Sequence, residues 1–132
     1  METPYVLGNY ERENDILHLW HPQAITLADP SMVERFFSQV RRLIESCLGP
    51  PYLLVNYSGL DISPDMKGAY QAQLQNYRPM VRGVFRYGIA EGVHGTLTGV
   101  TVRLANRLEA NIFPSEAAAR AAIARARDSE PT

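Results

Sequence analysis

The sequence predicts an α/β fold: a mixed, mostly parallel sheet of about five strands, with an opening hairpin and about four helices. Three observations support this prediction. Two short apolar runs open the chain, helical apolar stripes then alternate with strand-like runs, and proline or glycine separates most of the elements. Alternating strands and helices are typical of parallel sheets with right-handed crossovers.

The first half of the chain predicts a hairpin, a helix and a central strand. The two opening runs flank the wholly polar segment 11–15, as expected for a turn between antiparallel strands. Asp29 followed by Pro30 predicts a helix start, because aspartate caps free N–H groups and proline is tolerated at the first helical position. The helix ends at Gly49, and the apolar run 52–57 predicts a strand covered on both faces.

The second half continues the alternation. Ser63 and Pro64 predict a second capped helix, which ends before proline 79, and residues 81–87 are rich in strand formers. We expect a helix over 97–108, from its leucine and valine spacing, and an edge strand over 111–113. A final alanine-rich helix is predicted over 116–127, with Ser115 as its N-cap. We expect one domain over 1–127 and a frayed tail over 128–132.

Composition argues against several classes of protein. The formal charge of −1 and the pI near 6.3 lack the basic excess of nucleic-acid binders, so we expect no nucleic-acid partner. Cys47 is the single cysteine, which leaves no internal disulfide and no cysteine-rich zinc site. No stretch approaches the roughly 18 apolar residues of a membrane span, and no basic-then-apolar leader begins the chain. We therefore expect a cytoplasmic protein without a membrane span.

The histidines and glycines do not form a recognisable catalytic or metal-binding pattern. His18 and His21 fall on opposite faces of a predicted strand, and His94 lies in a glycine-flanked loop, so one metal ion could not easily take all three. The glycine-rich stretch 88–99 lacks phosphate-loop spacing, and no nucleophile-elbow pattern occurs. We predict no catalytic residue, no metal and no cofactor.

Polar residues at the ends of two predicted strands are the candidate binding surface. In open α/β sheets the carboxyl ends of strands are where ligands bind, although ordinary solvation of strand ends would give the same pattern. The residues predicted to contact a ligand or a partner are Asn56, Tyr57, Arg86 and Tyr87.

Two serines are candidate phosphoacceptors. A phosphate near a helix N-terminus would be stabilised by free N–H groups and by the helix dipole, and Ser63 precedes a predicted helix. Ser58 follows the central strand. The alternatives are a plain N-cap for Ser63 and an ordinary turn residue for Ser58.

The order of elements and one motif resemble the STAS superfamily, and within it the SpoIIAA-like branch. The motif is the step from Ile112-Phe113-Pro114-Ser115-Glu116-Ala117 into the last helix, which is similar to the family pattern v-F-x-s/d-x-e-A. The resemblance covers residues 10–126. It implies a STAS-like α/β domain that acts as a regulatory or protein-interaction module rather than as an enzyme.

The resemblance also bears on Ser58. In the anti-sigma-factor antagonists of the family, a D-S-S/T-G-L turn carries a serine that a partner kinase phosphorylates. The segment Asn56-Tyr57-Ser58-Gly59-Leu60 shares the Ser-Gly-Leu, but it lacks the acidic residue and the first of the paired hydroxyls. The resemblance therefore implies a protein partner, with Ser58 at the corresponding turn.

Three functions follow as hypotheses. The first is the regulatory, non-enzymatic module, with a protein partner of unknown identity and a homodimer as a further candidate assembly. The second is a small-molecule or lipid-binding domain that uses a groove near Arg86, Tyr87 and the glycine-rich stretch. The third is an enzyme, which requires that folding bring a histidine within hydrogen-bond reach of Ser58 or another hydroxyl.

Overall fold

The computed structural model describes residues 4–88 and 113–129. These parts of the chain contain six strands and three α-helices. The strands are β1 (Leu7–Glu11), β2 (Ile16–Trp20), β3 (Ile25–Leu27), β4 (Tyr52–Asn56), β5 (Leu60–Ile62) and β6 (Gly83–Tyr87). The helices are α1 (Pro30–Glu45), α2 (Lys67–Tyr77) and α3 (Glu116–Asp128).

The main sheet has four strands in the order β1-β2-β4-β6. β1 and β2 form the predicted antiparallel hairpin, with Glu11 opposite Ile16, whereas β4 pairs in parallel with both β2 and β6. Parallel neighbours require crossover connections, which α1 and α2 provide. The predicted α/β class and the mixed sheet are confirmed.

A second, two-stranded sheet was not predicted. β3 and β5 pair in parallel, with Ile25 opposite Leu60 and Leu27 opposite Ile62. Each strand has only three residues, which is too short to give a recognisable alternating pattern. Four of the five predicted strands form the main sheet, and the described residues add this separate two-stranded sheet to it.

Two of the predicted helix starts are formed as expected, and one is not. Asp29 accepts a hydrogen bond from the Met32 N–H at 2.9 Å, and Ser115 accepts one from the Ala118 N–H at 3.1 Å. After Ser63, in contrast, a 3-10 turn (Pro64–Met66) comes first and α2 begins only at Lys67. The Ser63 side chain makes no capping hydrogen bond, so the predicted capped helix start at this residue was wrong.

Some predictions fall outside the described residues. These are the helix over 97–108, residues 111 and 112 of the edge strand, and the last three residues of the tail. Phe113 is described, and its N–H donates to the Arg86 carbonyl at 2.8 Å. Within residues 4–88 and 113–129, no helix has the length and apolar character needed to cross a membrane.

Helices cover both faces of the main sheet, and each face has its own apolar core. α1 and α2 pack on one face and α3 packs on the other, against β4 and β6. Because side chains alternate along a strand, neighbouring residues of β4 and β6 enter different cores. The buried residues of the α1/α2 core include Leu17, Leu19, Val33, Phe36, Phe37, Leu53, Val55 and Val84. Those of the α3 core include Ile16, Tyr52, Leu54, Phe85, Ala119, Ala122 and Ile123.

Candidate functional site

The candidate site lies at the carboxyl ends of β4 and β6. The four residues predicted to contact a ligand or a partner lie there: Asn56, Tyr57, Arg86 and Tyr87. The structure divides these residues between the two faces of the sheet. Asn56 and Tyr87 are opposite each other in the register, and Tyr87 belongs to the α3 core. Tyr57 belongs to the α1/α2 core, and Arg86 contacts Tyr57 there. The four side chains therefore do not form one surface.

Ser58 occupies a tight turn between β4 and β5. The Leu60 N–H donates to the Tyr57 carbonyl at 3.0 Å, which closes the turn, and Gly59 has φ +84°. A positive φ at the third residue of a turn favours glycine. The Ser58 N–H donates to Asn56 Oδ1 at 2.9 Å. The serine is exposed, on a turn that two hydrogen bonds and one glycine define.

Gly88 brings the end of β6 against this turn. The Tyr57 N–H donates to the Tyr87 carbonyl at 2.8 Å, and Ser58 Oγ donates to the Gly88 carbonyl at 3.4 Å. Gly88 has φ +83°, and a Cβ at this position would overlap with Asn56 Oδ1. Only glycine permits both this backbone conformation and this close approach.

A hydrogen-bonded cluster lies on the α3 face beneath the turn. Tyr87 OH donates to Glu116 Oε1 at 3.2 Å, and His18 Nε2 lies 2.7 Å from the same hydroxyl. Since the phenol has one hydrogen and gives it to Glu116, His18 must donate from Nε2. The Trp20 ring lies 5.6 Å from the His18 ring, centroid to centroid.

Arg120 connects this cluster to the hairpin. Its Nη1 and Nη2 donate to the two carboxylate oxygens of Glu11 at 2.8 and 2.6 Å, and its Nε donates to Glu116 Oε2 at 2.8 Å. These contacts raise the pKa of Arg120 and lower the pKa of Glu11. Bidentate pairing of this kind fixes geometry as well as charge. Arg120 thus holds α3 against β1, and all three of its nitrogens are engaged with carboxylates.

The chemistry of the cluster is that of a fixed donor rather than of a nucleophile. Burial and the nearby Glu116 carboxylate raise the pKa of Tyr87 to about 12, so its hydroxyl keeps its proton at neutral pH. Burial lowers the pKa of His18, although Glu116 opposes this shift, and the ring is neutral under the same conditions. Within residues 4–88 and 113–129, the hydroxyl that folding brings to a histidine is therefore that of Tyr87, and its environment disfavours ionisation.

Arg86 and Tyr57 belong to a buried network on the other face. Arg86 is 0% exposed, and its Nε donates to Tyr57 OH at 3.3 Å. Tyr57 OH lies 3.0 Å from Tyr70 OH. Burial raises the pKa of Tyr70 well above its ordinary value. Neither Tyr57 nor Arg86 offers its side chain to a partner at the surface.

Ser63 lies apart from this cluster, between β5 and the 3-10 turn. Its N–H donates to the Leu27 carbonyl at 3.0 Å, and the residue is half-buried. In residues 4–88 and 113–129 no group of three histidine, cysteine, aspartate or glutamate side chains could hold a metal ion. His94 lies outside these ranges.

Sequence reasoning did not select His18, Glu116 or Arg120 as one group. The i, i+4 spacing of Glu116 and Arg120 in a predicted helix is a local signal for an ion pair. No local signal indicates the pairing of Arg120 with Glu11, because 109 residues separate them.

Comparison with known proteins returns no matching family model, no matching curated protein and no matching solved structure. The resemblance to the STAS superfamily thus rests on the order of elements and on the motif over 112–117.

The lowered pKa of His18 predicts a pH dependence of stability. Its folded-state pKa lies below the ordinary 6.5, so the unfolded chain binds more protons as the pH falls through that value. We expect the free energy of unfolding to decrease from pH 7.5 towards pH 5. Urea denaturation across this range measures it. His21 has a pKa shift in the same direction, so His18→Gln should reduce the slope without abolishing it; an unchanged slope would contradict this account.

Proposed function

We propose that the chain is a regulatory, non-enzymatic protein-interaction module of STAS-like type, and that Ser58 is its modified residue. The observation that carries the proposal is an exposed serine on a turn of defined shape, at the carboxyl edge of a mixed α/β sheet. Asn56 orients the turn from β4, and Gly88 supports it from β6.

The bonding of the neighbouring groups supports an interaction role. Hydrogen bonds join the Tyr87 hydroxyl to the His18 ring and to Glu116, and join the Arg120 guanidinium to Glu116. These hydrogen bonds stabilise the carboxyl edge of the sheet. A rigid surface loses little conformational entropy on binding. A phosphate on Ser58 would add up to two negative charges to this rigid turn, beside the Gly88 carbonyl, and would change what a partner meets there.

The test is to map modifications on the protein purified from the cells that make it. We expect a phosphate on the peptide that contains Ser58, and we expect Ser58→Ala to remove that mass while Ser38→Ala does not. Ser38 is a suitable control because it is an exposed serine on α1, away from the turn. A phosphate only on Ser63, or no phosphate on the Ser58 peptide in any growth condition, would contradict the role of Ser58.

The second candidate function is binding of a small molecule or lipid near Arg86 and Tyr87. The cavity that borders Tyr57 on the α1/α2 side has a volume of about 30 Å³, far below the several hundred Å³ of a typical ligand site. Residues 89–99 of the glycine-rich stretch lie outside the described parts of the chain. Native mass spectrometry distinguishes the two functions, because a bound small molecule on an unmodified chain would favour the second.

A further inference from the structure

β1 is the edge strand of the main sheet. Within residues 4–88 and 113–129 it pairs with β2 alone, and no other strand lies on its outer side. Alternate residues of such a strand direct their N–H and C=O groups away from the sheet. An exposed edge of this kind is a template on which another extended chain can pair.

β1 has none of the usual features that prevent such pairing. Its register with β2 is one-to-one from Leu7 to Glu11, so the strand has no bulge, and it contains neither proline nor lysine. Its single charged residue is Glu11, and both carboxylate oxygens of Glu11 accept hydrogen bonds from Arg120. The outer edge of β1 is therefore open to a partner.

A groove lies beside this edge, between the chain at residues 4–8 and α1. Its volume is about 300 Å³, and its apolar walls include Val6, Leu7 and Leu43. Gln39 of α1 also lines it, and its Oε1 accepts hydrogen bonds from the N–H groups of Tyr5 at 2.8 Å and Val6 at 3.3 Å. These two hydrogen bonds hold the start of the hairpin against α1. Side chains on one face of an added strand could enter this groove.

Arg42 is the charged residue of the groove. It is exposed, and no carboxylate of the described parts of the chain forms an ion pair with it, whereas the neighbouring Arg41 pairs with Glu45 at 3.4 Å. A guanidinium pairs well with a carboxylate because two parallel hydrogen bonds can join them. The charge of the groove therefore favours an acidic partner.

We propose that the edge of β1 and the groove beside it bind an extended segment of a protein partner, which pairs with β1 as an added strand and places an acidic side chain against Arg42. Backbone hydrogen bonds supply most of the affinity, and the groove supplies the selectivity. The β1 strand of a second copy is a poorer occupant, because Arg120 holds its one carboxylate, that of Glu11. β2 separates this surface from β4 and the Ser58 turn, so the proposal does not depend on Ser58.

NMR titration of the intact protein with a synthetic peptide tests the proposal. The probe is a capped peptide of alternating threonine and valine with one central glutamate. We expect the amide signals of residues 7–11 to shift, and we expect the affinity to fall about two- to fivefold when glutamine replaces the glutamate. A peptide with every backbone nitrogen methylated should not bind, because it cannot donate to β1. Absence of binding, equal binding of any two of these peptides, or shifts confined to residues 56–60 would overturn the proposal.

Two adjacent arginines of α1 provide matched variants. Arg42→Gln should remove the preference for the glutamate peptide over the glutamine peptide, whereas Arg41→Gln should retain it, because Arg41 does not line the groove. Loss of the preference in both variants, or in neither, would overturn the proposal. Sedimentation of the chain without peptide tests the other occupant. A dimer whose formation slows hydrogen exchange at residues 7–11 would assign the edge to a second copy and would also overturn the proposal.

Discussion

Replacing Arg86 by alanine is expected to lower the free energy of unfolding by about 3–5 kcal/mol, because the truncation leaves a cavity and removes a charged donor from Tyr57. Arg86 is 0% exposed, and its Nε donates to Tyr57 OH at 3.3 Å. Tyr57 in turn contacts Tyr70 of α2, so the substitution disturbs the packing of the helix as well as the strand. Urea denaturation followed by circular dichroism measures the effect.

Arg82 provides the matched control for Arg86. It is exposed, and its Nε donates to the Pro50 carbonyl and pairs with Asp15. Exposed ion pairs contribute little, so we expect Arg82→Ala to cost no more than about 1 kcal/mol. Arg86→Lys, which keeps a charge but loses the planar fork, should fall between the two alanine variants. An Arg86→Ala cost no larger than that of Arg82→Ala would mean that the buried network does not stabilise the fold.

Gly88→Ala is expected to lower the free energy of unfolding by about 1–3 kcal/mol, because alanine is strained at a positive φ. The backbone has φ +83° there, and the new Cβ would overlap with Asn56 Oδ1. Because Asn56 Oδ1 accepts a hydrogen bond from the Ser58 N–H, displacing the Asn56 side chain should also loosen the turn. Urea denaturation measures the stability, and hydrogen exchange should show faster exchange at the Ser58 and Leu60 amides.

Gly68→Ala is the control for Gly88→Ala. Gly68 is exposed on α2, and nothing lies within 4 Å of the position that its Cβ would occupy. Alanine in a helix is favoured over glycine by roughly 0.5–1 kcal/mol, so this variant should be slightly more stable than the parent. Equal effects of the two substitutions, or unchanged exchange at Ser58 in Gly88→Ala, would contradict the role given to Gly88.

The elements that the sequence predicted correctly are those with strong local signals. The caps at Asp29 and Ser115 depend on residues three positions apart, and both are formed. The strand over 52–56 and the hairpin are predicted from runs of apolar residues, which become buried because removing apolar surface from water is favourable. These signals need no knowledge of distant contacts.

The elements that the sequence did not predict depend on contacts between distant segments. β3 and β5 are stabilised by pairing with each other, although the paired residues Ile25 and Leu60 lie 35 positions apart in the sequence. The pairing of Arg120 with Glu11 joins residues near opposite ends of the chain. Tyr57 and Arg86 lie on one face of the sheet, and Asn56 and Tyr87 lie on the other. This follows from the alternation of side chains along a strand once the register is known.

Hydrogen exchange of the chain, alone and in complex with any protein that co-purifies with it from the cells that make it, tests the interaction proposal most directly. We expect protection to appear at residues 56–60, the turn that carries Ser58, with no change at the hairpin turn 12–15 at the opposite end of β2. We also expect Ser58→Glu to change the fraction of chain in the complex, whereas Ser38→Glu should not. Protection confined to the hairpin end, or a chain that purifies alone, would contradict the proposal that this edge is the surface a partner binds.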